Sequence, residues 1–178
     1  MKFTHFWAAL CALGFILAGC AEKPQEITPE PDITAQADVV YYLVRHAEKV
    51  LDVKDPPLTP EGQKRAEDLA ARLSGVELDK IYSTDTLRTR DTAMPTVSAK
   101  GLPLTIYDGG ELLDFSAELS AEKGHILIVG HSNTTPVLVS LLDGEAGLPI
   151  DEATEYDRFY IVARKGDETK TKLERYGH

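Results

Sequence analysis

Two histidines, each directly after an apolar segment, have neighbours suited to hold an anion. Arg45 precedes His46, and Gly130 precedes His131. Arg88 lies between the two histidines in the sequence. An imidazole can attack a phosphorus atom, while arginine forks and a second histidine hold the phosphoryl oxygens. These residue types therefore indicate phosphoryl chemistry.

Alternating strand and helix patterns predict the elements that position these side chains. Apolar, β-branched runs typical of buried strands occupy residues 39–44 and 126–129, and residues 80–83 should form a short strand. A helix should begin at Pro60 with Thr59 as its N-cap. Such an alternation favours an α/β fold, a three-layer αβα sandwich with a mainly parallel central sheet.

Weaker signals predict the remaining elements. Asp85 should cap a helix that runs to about residue 100, and Pro95 could kink that helix. Residues 104–107 should form an edge strand and residues 116–123 a short helix. The last two strands should form a hairpin around Gly166.

The predicted fold brings the chemical groups together. Ligands of a parallel α/β sheet bind beyond the carboxyl ends of its strands. Arg45, His46 and His131 follow strands at that edge, and Arg88 falls in the first turn of a helix that begins there. So many cationic groups are costly to gather unless they bind a dianion, and phosphate fits best.

The beginning of the chain predicts an export signal. Lys2 and His5 precede a 13-residue apolar run, and a bilayer span needs about 20 residues. The run ends in Leu-Ala-Gly-Cys at Cys20, which resembles a bacterial lipoprotein cleavage box. The other cysteine, Cys11, lies within the run, so no Cys nucleophile or Cys metal ligand remains for a folded domain.

These features predict the domain organisation and the location. We expect residues 1–19 to be a lipoprotein signal peptide and residues 20–38 to be an acidic, proline-containing tether with a lipid on Cys20. Residues 39–178 should form the folded domain. Ala21 favours the outer-membrane sorting class, which predicts the periplasmic face of the outer membrane and contact with the membrane through the anchor.

The charge argues against a nucleic-acid partner. The formal net charge is −10, and it becomes −11 if the first 19 residues, with Lys2, are removed. Such a surface repels phosphate backbones. The expected partner is a phosphorylated small-molecule substrate.

Four segments in order resemble the motifs of the histidine phosphatase superfamily, also called phosphoglycerate mutase-like, in its short-chain branch. Residues 43–48 are similar to the Arg-His-Gly signature, with Ala47 in place of the usual Gly, and residues 58–62 resemble the Leu-Thr-x-x-Gly helix start. Residues 83–93 are similar to the Ser-x-x-x-x-Arg-x-x-x-Thr-Ala motif. Residues 129–133 resemble the second histidine segment of the family.

The resemblance implies roles for four of these side chains. His46 would be the nucleophile that becomes phosphorylated. Arg45, Arg88 and His131 would form the phosphate pocket. Neither a metal nor an organic cofactor is implied.

A carboxylic acid must also protonate the leaving oxygen. The loop after the predicted edge strand offers Glu111 as the first choice and Asp108 as the second. Glu48, two residues after the nucleophile, is the third. A charged loop that includes Lys49 and Asp55 is expected near the mouth of the site.

The sequence thus predicts a lipid-anchored phosphoric monoester hydrolase and leaves alternatives. Short members of the family resemble protein phosphohistidine phosphatases, although an export signal would keep this chain from cytoplasmic phosphorelay proteins. A mutase needs a longer active-site insertion. A non-catalytic phosphate-binding lipoprotein would be expected to lose the nucleophile or an arginine, and this chain keeps both.

Overall fold

The computed structural model describes residues 32–177. In this range six strands and four helices alternate along the chain until the last two strands, which are consecutive. The elements are β1 (Val39–Arg45), α1 (Pro60–Arg72), β2 (Lys80–Ser83), α2 (Leu87–Lys100), β3 (Leu104–Ile106), α3 (Leu112–Ser120), β4 (Gly124–Gly130), α4 (Thr134–Leu141), β5 (Arg158–Lys165) and β6 (Glu168–Arg175).

The strands form one sheet in the order β3-β2-β4-β1-β5-β6. The pairs β3·β2, β2·β4 and β4·β1 are parallel, whereas β5 and β6 extend the sheet antiparallel to their neighbours. The prediction of a mainly parallel central sheet is therefore confirmed.

Two apolar cores lie on opposite faces of this sheet. All seven residues of β1 are buried, and successive side chains point to opposite faces. Tyr41 and Leu43 pack into a core that includes residues of α3 and α4. Val40, Tyr42 and Val44 pack into a second core that includes residues of α1 and α2. This arrangement confirms the three-layer αβα sandwich.

The register of the parallel strands aligns their carboxyl ends. Arg45 pairs with Gly130, and Ser83 pairs with Val129. The segments that follow β1, β2 and β4 therefore leave the sheet side by side. This edge is where the sequence predicted the site.

The predicted cap of α2 is wrong. The N-cap residue is Thr86, whose side chain makes no capping hydrogen bond, and the Asp85 carboxylate pairs with Arg90 instead. The first backbone N–H of the helix, on Leu87, donates to Asp55 Oδ1 at 2.9 Å. A loop more than thirty residues earlier in the chain thus supplies the capping oxygen.

The helix predicted at residues 116–123 begins four residues earlier, because its apolar residues set the register. Leu112, Phe115 and Leu119 follow helical spacing and pack together into the core. Other predictions are confirmed. Thr59 caps α1 by accepting a hydrogen bond from the Gly62 N–H, and Gly166 takes a positive φ of 56° between β5 and β6.

Residues 32–38, which the sequence assigned to the tether, lie against the domain. Ile33 and Ala37 pack on the core that contains α1 and α2. The Asp38 N–H donates to the Arg164 carbonyl at 2.8 Å. The predicted signal peptide and the lipidation of Cys20 lie outside the described residues. Between residues 32 and 177, no helix has both the length and the apolar character needed to cross a membrane.

Candidate active site

A pocket of about 640 Å³ opens at the carboxyl edge of the sheet. The segments that follow β1, β2, β3 and β4 all contribute to it, together with one residue of the loop before β5. Its lining residues are His46, Lys49, Thr84, Asp85, Thr86, Arg88, Ile106, Tyr107, Asp108, Gly109, His131, Ser132, Asn133, Thr134 and Glu152.

His46 is held as a neutral imidazole of defined tautomer. Only 1% of the residue is exposed, and its Nδ1 lies 2.8 Å from the Ala47 carbonyl oxygen. Since a carbonyl can only accept, Nδ1 carries the hydrogen and Nε2 keeps its lone pair. Burial lowers the pKa of His46 to about 3, with smaller contributions from the charges of Arg45 and Arg88.

Two helices hold the turn that follows His46. The Ala47 N–H donates to Thr92 Oγ1 at 2.9 Å, and that hydroxyl donates to the Arg88 carbonyl at 2.7 Å. At the start of α1, a Cβ on Gly62 would lie only 2.2 Å from the Glu48 carbonyl oxygen, so glycine permits this close approach. The Thr-Ala motif and the helix-start motif therefore both position His46.

His131 lies beside His46, with 5.5 Å between the ring centroids. Its Nδ1 lies 3.3 Å from Arg88 Nη2, and its Nε2 lies 2.8 Å from Thr84 Oγ1. Because a guanidinium can only donate, Nδ1 accepts and Nε2 carries the hydrogen. Burial, together with a smaller contribution from the charge of Arg88, lowers the pKa of His131 to about 4.

Arg88 lines the pocket. Its Nε is buried and, among the described residues, has no hydrogen-bond partner. Leaving a buried donor unpaired costs roughly 1–3 kcal/mol. An anion in the pocket would remove that penalty.

Arg45, which the resemblance assigned to the phosphate pocket, is held mainly by backbone carbonyls. Arg45 is buried outside the pocket lining, and its terminal nitrogens are committed to backbone carbonyls. Nη1 donates to the carbonyls of Asp151 and Glu155, and Nη2 donates to that of Glu152. The Tyr156 ring stacks 4.0 Å from the guanidinium. Only Nε, which is buried without a partner among residues 32–177, is left for a ligand.

Of the three carboxylates predicted as the proton donor, only Asp108 lines the pocket. Its Oδ1 accepts a hydrogen bond from the Gly110 N–H at 2.8 Å. Glu111, the first choice, is exposed at the N-cap of α3 and outside the lining. Glu48, the third choice, binds Arg65 through both carboxylate oxygens, at 2.8–3.0 Å. The geometry therefore favours Asp108 over the other two.

Sequence reasoning missed Glu152. Its carboxylate lies 2.9 Å from Arg45 Nη2 and 3.1 Å from Lys49 Nζ, and it accepts a hydrogen bond from Ser132. Burial raises its pKa, but the bonds from Ser132 and Lys49 and the charge of Arg45 outweigh that effect and lower the pKa to about 2. No local pattern marks an acidic residue in a loop as part of a distant pocket.

A family model described as histidine phosphatase superfamily (branch 1) matches residues 41–110. That range contains the first histidine segment, the helix-start segment and the arginine segment. A search among curated proteins found no significant match.

Several solved structures share the fold. The protein histidine phosphatase SixA, complexed with tungstate, is 20% identical with a TM-score of 0.60, covering 77% of this chain and 95% of its own. The alpha-ribazole phosphatase from Shigella flexneri is 17% identical with a TM-score of 0.62, covering 78% and 96%. Phosphoserine phosphatase from Entamoeba histolytica, in complex with 3-phosphoglyceric acid, is 16% identical with a TM-score of 0.56, covering 79% and 97%. At these identities the likeness concerns the fold.

Proposed function

We propose that the chain is a member of the histidine phosphatase superfamily, whose family model matches residues 41–110, and that it hydrolyses phosphate monoesters through a phosphohistidine formed at His46. The observation that carries this proposal is the state of that imidazole. His46 is buried, neutral and fixed by the Ala47 carbonyl so that Nε2 keeps its lone pair. A nucleophilic nitrogen needs these properties at neutral pH.

The surroundings of His46 suit a phosphoryl group. Arg88 and Lys49 line the pocket, and the buried Nε of Arg88 has no partner among the described residues. Asn133 and Thr134, at the beginning of α4, also line it, where backbone N–H groups favour an anion. Phosphoryl transfer needs chiefly such positioning and charge stabilisation.

The proposed reaction has two steps. In the first, His46 Nε2 bonds to phosphorus as the bond from phosphorus to the leaving oxygen breaks, and Asp108 gives its proton to that oxygen. In the second, the Asp108 carboxylate takes a proton from water, whose oxygen bonds to phosphorus as the Nε2–phosphorus bond breaks. Phosphate leaves, and both side chains return to their starting states.

Rapid quenching of the domain with a radiolabelled monoester tests this function. We expect an acid-labile, base-stable phosphoenzyme that is absent from His46→Ala and present in the matched control His125→Ala. His125 is a suitable control because it lies outside the pocket lining, where it forms a hydrogen bond with the Tyr42 hydroxyl. Turnover should also survive a chelator. A phosphoenzyme in His46→Ala, or turnover that requires added metal, would contradict the mechanism.

A protein phosphohistidine phosphatase is the second candidate, supported by the fold shared with SixA. The predicted export signal counts against it. Assaying a phosphohistidine peptide and alkyl phosphates with one enzyme preparation separates the two. Hydrolysis confined to the peptide would favour the second candidate, and binding of phosphate without any turnover would indicate a non-catalytic binding protein.

We propose further that the chain is exported and anchored to the periplasmic face of the outer membrane through lipid on Cys20. This proposal rests on the apolar run and the Leu-Ala-Gly-Cys sequence at Cys20. Cys20→Ser should abolish labelling by radioactive palmitate and leave the precursor uncleaved. Cys11→Ser is the matched control and should label normally. Normal labelling of Cys20→Ser would refute the assignment.

A further inference from the structure

The charges around the pocket are nearly balanced before any substrate binds. Among the described residues that line it, the cations are Lys49 and Arg88, and the carboxylates are Asp85 and Glu152, with Asp108 carrying the proton that the proposed first step requires. A site intended for several anionic groups would be expected to hold an excess of cations.

Both lining cations already have carboxylate partners. Lys49 Nζ lies 3.1 Å from Glu152 Oε1, and Arg88 Nη1 lies 3.9 Å from Asp55 Oδ1. Arg45, behind the pocket, is also paired with Glu152. Within residues 32–177, the buried donors left unpaired at the site are the Nε groups of Arg45 and Arg88. Two such donors, with the backbone at the start of α4, suit a single phosphoryl group.

Glu152 presents a fixed negative charge to the rest of the ligand. Its side chain remains 57% exposed, although one oxygen binds Lys49 and the other binds Arg45. The loop that carries it is clamped because Arg45 also holds the backbone carbonyls of Asp151 and Glu155. A carboxylate or second phosphate on the leaving group would therefore meet Glu152 rather than an unpaired cation.

We infer that this pocket selects phosphate monoesters whose leaving group is neutral or cationic, and that Glu152 is the residue that rejects a second anion. The inference rests on the proposed phosphatase function. It names the substrate class as esters of polyols or amino alcohols, and it disfavours phosphorylated carboxylic acids, bisphosphates and nucleoside polyphosphates.

A matched pair of substrates tests the inference. Glycerol 3-phosphate and 3-phosphoglycerate differ in one terminal group, which is a hydroxymethyl in the first and a carboxylate in the second. We expect kcat/KM to be higher for glycerol 3-phosphate by about tenfold or more, the effect of one partly screened like-charge contact. Phosphoethanolamine, which carries an ammonium group, should be used at least as well as glycerol 3-phosphate.

The variant Glu152→Gln removes the charge and keeps one accepting oxygen, which can still bind Arg45 and Ser132. The preference for glycerol 3-phosphate should then fall to within about threefold. Glu168→Gln, the same change on the far edge strand β6 and outside the pocket lining, should leave the preference at the wild-type value. Each preference is a ratio measured on one preparation, so partial unfolding of a variant cancels. Salt at about 0.5 M should reduce the wild-type preference for glycerol 3-phosphate over 3-phosphoglycerate, because it screens the charge of Glu152.

The outcomes separate this inference from the proposed function. If wild type uses both esters equally well, or if Glu152→Gln keeps the full preference, selection by Glu152 is overturned while the phosphatase function stands. If wild type hydrolyses no monoester and forms no phosphoenzyme, the proposed function fails and the inference fails with it.

Discussion

Asp108 and Glu111 lie three residues apart, yet only Asp108 lines the pocket with His46. A general acid matters most when the leaving group is poor. We therefore predict that Asp108→Asn lowers kcat for an alkyl phosphate by about 10²-fold or more and largely spares p-nitrophenyl phosphate. Steady-state kinetics with both substrates measures this difference.

Glu111→Gln is the matched control for this prediction, because Glu111 is exposed and outside the pocket lining. The kcat of Glu111→Gln should equal that of wild type for both the alkyl phosphate and p-nitrophenyl phosphate. If Glu111→Gln instead showed the leaving-group-dependent loss and Asp108→Asn did not, the proton donor would be Glu111, as first predicted from the sequence.

Arg88 offers a planar set of donors that lysine cannot reproduce. One terminal nitrogen contacts His131, and Nε is buried without a partner in the described part of the chain. Arg88→Lys should therefore lower kcat/KM by about 10²-fold, as removal of one preorganised donor does. Arg90→Lys, two residues along α2 and outside the pocket lining, is the control and should change kcat/KM by less than about threefold. Near-normal kinetics of Arg88→Lys would remove Arg88 from the phosphate site.

Helix α2 carries Arg88 in its first turn, and its N-terminus depends on Asp55. Asp55 Oδ1 accepts the Leu87 N–H, and the residue takes a positive φ of 47°, which asparagine tolerates well. Asp55→Asn keeps an accepting oxygen, whereas Asp55→Ala loses the cap. We predict that the alanine variant loses about 1 kcal/mol or more in the free energy of unfolding and the asparagine variant less than half of that.

Urea unfolding of the two Asp55 variants measures this difference. The loss of kcat/KM should also be larger for Asp55→Ala than for Asp55→Asn, because movement of the first turn of α2 displaces Arg88 from His131. Equal stability of Asp55→Ala and wild type would show that the contact with Leu87 does not hold the helix.

The two neutral histidines should make the stability of the whole domain depend on pH. Burial lowers the pKa of His46 to about 3 and that of His131 to about 4, from an ordinary value of 6.5. Between about pH 6.5 and about pH 4, the unfolded chain therefore binds protons that the folded domain does not. Stability should fall as the pH decreases through this window, by ~1.4 kcal/mol per pH unit for each histidine.

Urea unfolding at about pH 7 and about pH 5 measures this pH dependence. His46→Gln removes one of the two groups and should reduce the loss of stability by roughly half. Hydrogen bonds from Arg158 lower the pKa of Glu155 to about 2, so that carboxylate adds a loss only below about pH 4.5. Stability that is equal at both pH values would mean that the histidines bind protons in the folded domain as readily as in the unfolded chain.

The amino-acid sequence by itself determined the layers of the fold and predicted three residues that line the candidate pocket. Apolar runs mark the buried strands, and their alternation with helices implies a parallel sheet with one binding edge. His46 and His131 directly follow such strands, and Arg88 comes soon after one. Local pattern and topology together therefore place these three side chains at the binding edge. The Thr59 cap and the turn at Gly166 were also predictable, because the residues that form them are neighbours in the chain.

Only the tertiary structure decided the partners of these groups. Glu152 reaches Lys49 across 103 residues, Arg45 reaches the same loop across more than a hundred, and Asp55 caps a helix 32 residues later. Such contacts depend on how loops pack at the sheet edge, and no short-range pattern encodes them. The choice of Asp108 over Glu111 follows the same rule, because Asp108 lies in a loop that lines the pocket, whereas Glu111 lies at the N-cap of α3 outside the lining.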